Sequence, residues 1–430
     1  MNKQKLRNNR TVMKIYNSLI SCIWPGRIIK SKIHLKKIIK KKYSTCDRIG
    51  VIFLTQYIPA WNKSEPIYKI MKEDDRFVTY IVCVPNDLNC KVNDNDVFNW
   101  FKDNNYECIN AKKTETQWFD LSELGAEYVF YCRPYNKYLP EIYKSKNVGK
   151  YLKICNLMYG FTFSKADIKN SLNKDFFVDC YTYYACSDDD LSYFYSIRHS
   201  KYQRCKYLGY PSLTNMINKM NSESQGRWES NHDSFRIIWT PRWSTDVLIG
   251  GSNFFNYKDD FFRYAETEKN IELMIRPHPL AFDNFINNGQ MTVEEVRNYK
   301  NHCFDSENII LDEKKEYIES FWNTDVLVSD VSTVIIEFFV TGKPIIFCDS
   351  NSEFNKNYSN TMLNILSGTY VANSFENIRK YISDLKSGKD PLKERRNELI
   401  NTIWGDKIKL CPQLIVDDLL DDCKKYTNKS

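Results

Sequence analysis

Long uninterrupted apolar runs are scarce in this 430-residue sequence. The best candidate, residues 15–29, is broken by Pro25-Gly26 and falls short of the roughly 20 residues that cross a bilayer, although it could lie in a membrane interface. No small-residue cleavage site follows it, so a secretory signal is not expected. Acidic residues are missing before Asp47, while thirteen Lys and Arg fall between Lys3 and Lys42. Without those thirteen, the rest holds 48 basic against 54 acidic residues, so the overall charge of +7 hides a body of about −6. A uniformly basic body would suggest nucleic acid. An acidic body behind a basic, partly apolar arm points instead to an anionic membrane surface, with a solvated Lys-rich extension as the alternative. The fourteen cysteines never form a C-x-x-C pair and no His stands at zinc-finger spacing, so neither a disulfide framework nor a metal site is indicated. Such usage suits a reduced, cytosolic protein. G-x-G-x-x-G, Walker A, G-x-S-x-G and H-E-x-x-H motifs are all absent, which argues against dehydrogenase, P-loop ATPase, α/β-hydrolase and zincin chemistry.

What is present is core-forming material: 42% hydrophobic residues, with 29 Tyr and 25 Phe. That content excludes a disordered chain, and the length exceeds what one core usually supports. From Arg48 onward, short β-branched and aromatic runs alternate with amphipathic stretches, the pattern of strands and helices in an α/β fold with parallel sheets. Residues 48–54, 77–85, 126–132 and 151–159 read as strands, and 64–74, 94–105 and 139–146 as helices. After a polar stretch the alternation resumes at 235–241, 271–279, 308–313, 325–330 and 343–349, and the tail after Phe375 reads as helical. The expected organisation is a basic arm over 1–47, an α/β domain over 48–212, a linker over 213–235, and a second α/β domain with terminal helices over 236–430. Two such domains place a ligand cleft between the C-terminal ends of their sheets.

Several strand-end segments carry polar groups suited to phosphate. Residues 325–347 run strand, polar turn, helix and strand, with Asp330, Ser332 and Thr333 at the turn, where free backbone N–H groups and the positive helix end suit an anion. Glu337, one helical turn beyond Thr333, could accept hydrogen bonds from ribose hydroxyls. Equally, Ser332 and Thr333 could merely cap the helix while Glu337 is solvated. His278 is flanked by Pro277 and Pro279 directly after a strand, which holds the imidazole where it could donate to a phosphoryl oxygen or protonate a leaving group. Arg276 beside it could add a bidentate phosphate contact. Thr240 and Arg242 end another strand. In the first half, Tyr159 and Gly160 end a strand with Lys165 following, and Arg133 and Tyr135 end the strand before it; ordinary loop packing explains these equally well.

Taken in order, the segments WNKSEPIY, YCRPYN, MYGFTFSK, LGYP, TPRW, RPHP and SDVSTVIIEF…GKPIIF resemble the CDP-glycerol glycerophosphotransferase family of teichoic acid and capsule synthesis, over roughly residues 48–350. The resemblance is strongest to capsule-type members. It implies a GT-B-like architecture with a CDP-activated donor in the C-terminal domain and a lipid-linked or polymeric acceptor. His278 looks like the family's His of an H-P motif, Ser332 and Thr333 like its pyrophosphate-binding hydroxyls, and Glu337 like its nucleotide-contacting acid. Teichoic acid members carry His-Gly where this chain has Tyr159-Gly160, and a phenol with pKa near 10 is a poor base at neutral pH. The expected reaction releases CMP from CDP-glycerol or a related CDP-polyol. No tightly bound cofactor or metal is expected, and a loosely held Mg²⁺ is left open. The alternatives are a sugar transferase of the same architecture and a catalytically silent relative that binds polymer or organises a capsule complex.

Overall fold

Runs of β-branched and aromatic residues build two parallel sheets. The computed structural model describes residues 25–39, 48–172, 175–197, 202–221, 228, 234–314, 317–350 and 353–427. The first sheet contains β1 (Ile49–Thr55), β2 (Phe77–Cys83), β3 (Ile109–Asn110), β4 (Tyr128–Tyr131), β5 (Lys153–Leu157), β6 (Cys180–Ala185) and β7 (Arg204–Tyr207), in the order β3-β2-β1-β4-β5-β6-β7. The second contains β8 (Phe235–Thr240), β9 (Ile271–Ile275), β10 (Ile309–Leu311), β11 (Val326–Ser329), β12 (Ile345–Cys348) and β13 (Tyr370–Ala372), in the order β10-β9-β8-β11-β12-β13. Every named pair is parallel, and β1, β4, β5, β6, β9, β11 and β12 have only buried residues because helices cover both faces. In both sheets the order reverses direction beside the first strand, at β1/β4 and β8/β11, which opens the crevice where such sheets bind ligands.

Nine expected strands correspond to β1, β2, β4, β5 and β8 to β12. The strands β3, β6, β7 and β13 escaped the sequence reading because β3 and β13 are only two and three residues long, β6 mixes Thr182 with tyrosines and so lacks the aliphatic run of the others, and β7 carries Arg204 and Lys206. Residues 139–146 do not make the expected helix. Pro140 removes a donor, and the segment folds as a 3-10 turn at Glu141–Tyr143 followed by the single turn Ser145–Val148.

The domain boundaries also differ from expectation. The linker placed at 213–235 begins as the helix Pro211–Asn221, with Leu213 and Met216 buried; residues 222–227 and 229–233 lie outside the described residues. The final helix, Lys407–Thr427, does not stay with the second sheet. Its Cys411, Ile415, Val416 and Leu419 join the core formed by Val51, Phe53 and Tyr128 of the first. Asp422, buried, accepts from Tyr128 Oη (2.7 Å), Tyr181 Oη (2.7 Å) and Lys153 Nζ (2.8 Å) and pairs with Arg204 (2.8 Å), while Asp418 accepts from Tyr184 Oη. The chain thus crosses back at its end and clasps the first domain.

Of the basic arm, residues 1–24 and 40–47 lie outside the described residues, and 25–39 form a helix. It docks on the first domain through Leu35 and Ile38, an Arg27–Asp179 ion pair and a hydrogen bond from Ser31 Oγ to Val178 O. Its outer side carries Ile29 and Ile33, 57% and 48% exposed, among the exposed Lys30, Lys32, Lys36 and Lys37.

Candidate active site

The C-terminal ends of β8, β9 and β11 converge on Arg242. Its backbone N–H donates to Asp330 Oδ2 (2.9 Å) and its Nη1 to Val331 O (2.5 Å), while its buried Nε finds no protein partner. Burial depresses its pKa, with the Asp330 carboxylate opposing, yet a guanidinium keeps its charge at any neutral pH. The result is a cation with donor capacity to spare beside a strand-to-helix turn.

Asp330 is the clamp of that turn rather than a ligand group. It is 1% exposed and accepts from Arg242 N, Ser252 Oγ, Asn253 N and Asn253 Nδ2, an arrangement that ties three loops together. Burial raises its pKa, and those four donors oppose the rise. Ser332 occupies the N-cap of the helix Thr333–Phe339 and accepts from Val334 N (3.3 Å), so the capping role is realised. Thr333 is half-buried, and a Cβ on Gly160 of the first domain would lie 3.6 Å from its Cγ2. That contact brings Gly160 and Thr333 together across the cleft. Gly160 needs no special backbone angle, so its value is the open space that a side chain would occupy.

His278 follows β9 in a Pro-flanked turn. Its Nδ1 accepts from Leu280 N (3.2 Å), which leaves the proton of the neutral ring on Nε2. More than a third of the residue is open to solvent, yet the cleft walls crowd it; lost hydration first, and the Arg242 charge second, hold its pKa down to about 4. Solvent on one side moderates that depression without reversing it, and the ring is neutral at pH 7. His278 and the turn at Val331 therefore share Arg242 as a common neighbour.

Three expected donor-side residues sit differently from the sequence reading. Thr240 is buried and donates to Ser329 Oγ (2.7 Å), locking β8 to β11 instead of facing the cleft. Arg276 is tied to Asp312 Oδ2 (2.5 Å) and Lys314 O (2.8 Å), so its guanidinium is spent on the neighbouring loop. Glu337 is neither solvated nor open. It accepts from Tyr317 Oη (2.9 Å) and Ser212 Oγ (3.4 Å), and burial lifts its pKa to about 7 against those two donors and Lys63. Asn62 joins this group, donating to Ser212 Oγ and Tyr317 Oη. Tyr317 in turn walls a cavity of 460 Å³ between the domains, shared with Ile58, Asn62 and Trp61 from the first and Ile318 and Trp322 from the second.

On the first-domain side, Arg133 donates to Gln56 Oε1 (3.1 Å) and stacks over Tyr57 and Tyr138. Tyr135 packs against Tyr159, whose pKa is pushed further above its ordinary value by burial and by Tyr57, so it is no base. Lys165 is exposed at the start of the helix Lys165–Leu172, lining a shallow 610 Å³ depression with Lys169 and Asp189. The sequence reading missed Lys63. It is 1% exposed, donates to Met158 O (2.7 Å) and lies 5.1 Å from the Tyr159 ring centroid; burial lowers its pKa to about 7. Its position in a polar-looking helix hid that it faces the sheet. Among the described residues no group of three His, Cys, Asp or Glu could hold a metal ion.

Two parallel α/β sheets with polar groups gathered at their strand ends define the class of open-sheet proteins that bind a ligand in the crevice beside the strand ends. Residues 156–401 match the family described as CDP-Glycerol:Poly(glycerophosphate) glycerophosphotransferase, and the chain belongs to that family. It is a transferase of the CDP-glycerol glycerophosphotransferase type. No curated protein matches the sequence. Among solved structures it is similar to the wall teichoic acid polymerase TagF (TM-score 0.57, 13% identity, 97% of this chain and 98% of that one). It is also similar to UDP-GlcNAc 2-epimerase from Neisseria meningitidis bound to UDP-GlcNAc (0.59, 11%, 87% and 100%) and to S. aureus MnaA with UDP (0.53, 13%, 86% and 96%). At these identities the likeness is one of fold, GT-B-type in each case.

Proposed function

We propose that the chain transfers a glycerol-phosphate or similar polyol-phosphate unit from a CDP-activated donor to a hydroxyl of a polymeric or lipid-linked acceptor, releasing CMP. The observation that carries this reading is the grouping of Arg242, with an unpartnered buried Nε, and His278, with a donating Nε2, around the turn that Thr333 shares with Gly160. In such chemistry the protein mainly positions the reactants and stabilises charge. The acceptor oxygen attacks the phosphorus that bears the polyol, the bond from that phosphorus to the bridging oxygen of CMP breaks, and the acceptor proton is released to water. Neutral His278 and cationic Arg242 stabilise charge on the diphosphate oxygens, assisted by Ser332 and Thr333. The nucleoside end extends towards the cavity behind Tyr317, where Glu337 acts through the Tyr317 hydroxyl. Lys165, exposed at the start of its helix, is assigned to the acceptor approach.

Peripheral attachment to an anionic membrane surface fits the same reading. The outward Ile29 and Ile33, ringed by lysines, match a helix lying in the lipid interface. No helix among the described residues is long and apolar enough to cross a membrane.

A donor panel tests the proposal. CDP-glycerol or CDP-ribitol should raise the melting temperature by mass action, UDP-sugars should not, and CMP should accumulate when acceptor is added. Stabilisation by UDP-sugars alone would replace it with the sugar-transferase reading.

A further inference from the structure

Four tyrosines crowd the ends of β1, β4 and β5 at the first-domain side of the cleft. Tyr159 lies 6.1 Å from Tyr57 and 5.8 Å from Tyr135, ring centre to ring centre, and Tyr135 meets Tyr138 edge-on at 5.9 Å. Rings this well associated would ordinarily be buried, but Tyr138 and Tyr159 remain 43% and 38% exposed. Nothing in the donor chemistry uses them. An exposed aromatic group at the mouth of a ligand cleft is a recognition surface in want of a ligand.

Charge narrows the ligand class. Arg133 sits 4.8 Å over Tyr57 and 5.0 Å over Tyr138, Lys137 lies 4.5 Å over Tyr138, and buried Lys63 lies 5.1 Å from Tyr159. Arg133 and Lys137, with a partly protonated Lys63 behind them, exclude an ammonium ligand, the usual occupant of a tyrosine cage. They leave a neutral or anionic one. Because Lys63 is 1% exposed and Tyr159 is buried on one side only, 38% exposed, the amine backs the inner side of that ring and leaves the outer side to the cleft. Arg133 keeps hydrogen-bonding capacity, since its hydrogen bond to Gln56 Oε1 uses Nη2 alone. A linear polyol phosphate would be held by charge alone and has no flat face to lay on a ring. A pyranose has one, with C–H groups for the phenol faces and hydroxyls for the phenol and guanidinium donors.

We propose that Tyr57, Tyr135, Tyr138 and Tyr159, with Arg133, form a shelf for the terminal pyranose ring of a glycosylated acceptor, so that the attacking hydroxyl belongs to a sugar. The shelf adjoins the Gly160–Thr333 contact, which places a ring hydroxyl next to the donor phosphorus. This rests on the donor reading above and specifies its acceptor.

The test uses the full chain with CMP present and saturation-transfer NMR on four soluble probes: cellobiose, chitobiose, lactose and a glycerol-phosphate trimer. At least one disaccharide should receive saturation at its ring protons. Tyr138→Ala and Tyr57→Ala should each weaken it about three- to tenfold, the range of one aromatic contact, while Tyr138→Phe retains it. In all three variants the thermal shift with CDP-glycerol should be unchanged. Binding of the trimer but of none of the disaccharides, or equal disaccharide affinity in both alanine variants, overturns the shelf and leaves the donor reading standing. Loss of the CDP-glycerol shift in the unmodified protein overturns the donor reading itself.

Discussion

Replacing His278 by glutamine separates two kinds of catalysis. In the structure Nδ1 is occupied by Leu280 N–H, so the neutral ring offers only Nε2–H, and a pKa near 4 leaves almost no imidazolium at pH 7. The group thus acts as a hydrogen-bond donor to charge that grows on the phosphoryl oxygens, and loss of one such donor costs about 10²–10³ in rate, or roughly 2.7–4 kcal/mol. His278→Ala should lose that much CMP release. His278→Gln, whose amide N–H reaches a similar place, should recover about a tenth or more of the native rate. The profile of kcat/KM, which reports the free enzyme, should show no ionisation removed by either variant between about pH 5.5 and 8. A bound diphosphate raises the pKa of the imidazole beside it, so kcat alone is free to titrate. Stability follows the same shift. With its folded pKa below the unfolded 6.5, His278 binds its proton more readily in the unfolded chain, so stability is full above pH 6.5 and declines as pH falls towards 4; His278→Gln should flatten that decline. If His278→Gln were as inactive as His278→Ala, and the native kcat/KM fell tenfold per unit above a midpoint near 6.5, His278 would be a general acid and the donor argument would fail.

Asp422→Ala should destabilise the protein by about 3–5 kcal/mol, because Lys153 is left buried and charged without its carboxylate. For a domain of this size that is a drop of roughly 6–20 °C in melting temperature, while exchanging Lys153 and Asp422 together for methionine and leucine should restore most of it. Asp422 keeps its pKa below the ordinary value because Lys153 and Arg204 outweigh the burial that would raise it, so its contribution is present above the unfolded carboxylate range and fades in acid. Glu337 runs the other way: its folded pKa of about 7 means stability is lost as pH rises from about 4.5 through 7, and Glu337→Gln should remove that slope in urea titrations. Changing Lys30, Lys32, Lys36 and Lys37 together to glutamine should abolish co-sedimentation with vesicles containing anionic lipid while leaving CMP release to a soluble acceptor intact; binding that survives the change would remove this helix from the membrane contact.

Much of the scaffold was legible without coordinates. Nine strands announced themselves because a buried parallel strand must be a short apolar run, and "IELMI" or "DVLVSD" between polar turns permits little else. His278 was legible for a local reason too, since two prolines fix its backbone whatever the surroundings. Glu337 and Lys63 were not legible as buried. A charged side chain on a helix is expected to face solvent, and only contacts distant in sequence, with Ser212 of the first domain for Glu337 and with Met158 after β5 for Lys63, decide that they face inward.

The sequence by itself therefore determined the alternation of elements, the two sheets and the strand-end positions of His278, Arg242 and Tyr159, because those depend on periodicity and backbone restriction over a few neighbouring residues. Tertiary structure alone decided which polar groups stay available. Arg276 and Arg242 look alike in sequence, yet Asp312 engages one guanidinium while the other keeps a buried donor unpaired. The same holds for the last helix, which the sequence marks as helical without showing that Lys153 and Arg204, more than two hundred residues away, pair with its Asp422. Charge pairing and burial act through space and carry no local signature, so they became visible only when the chain closed on itself.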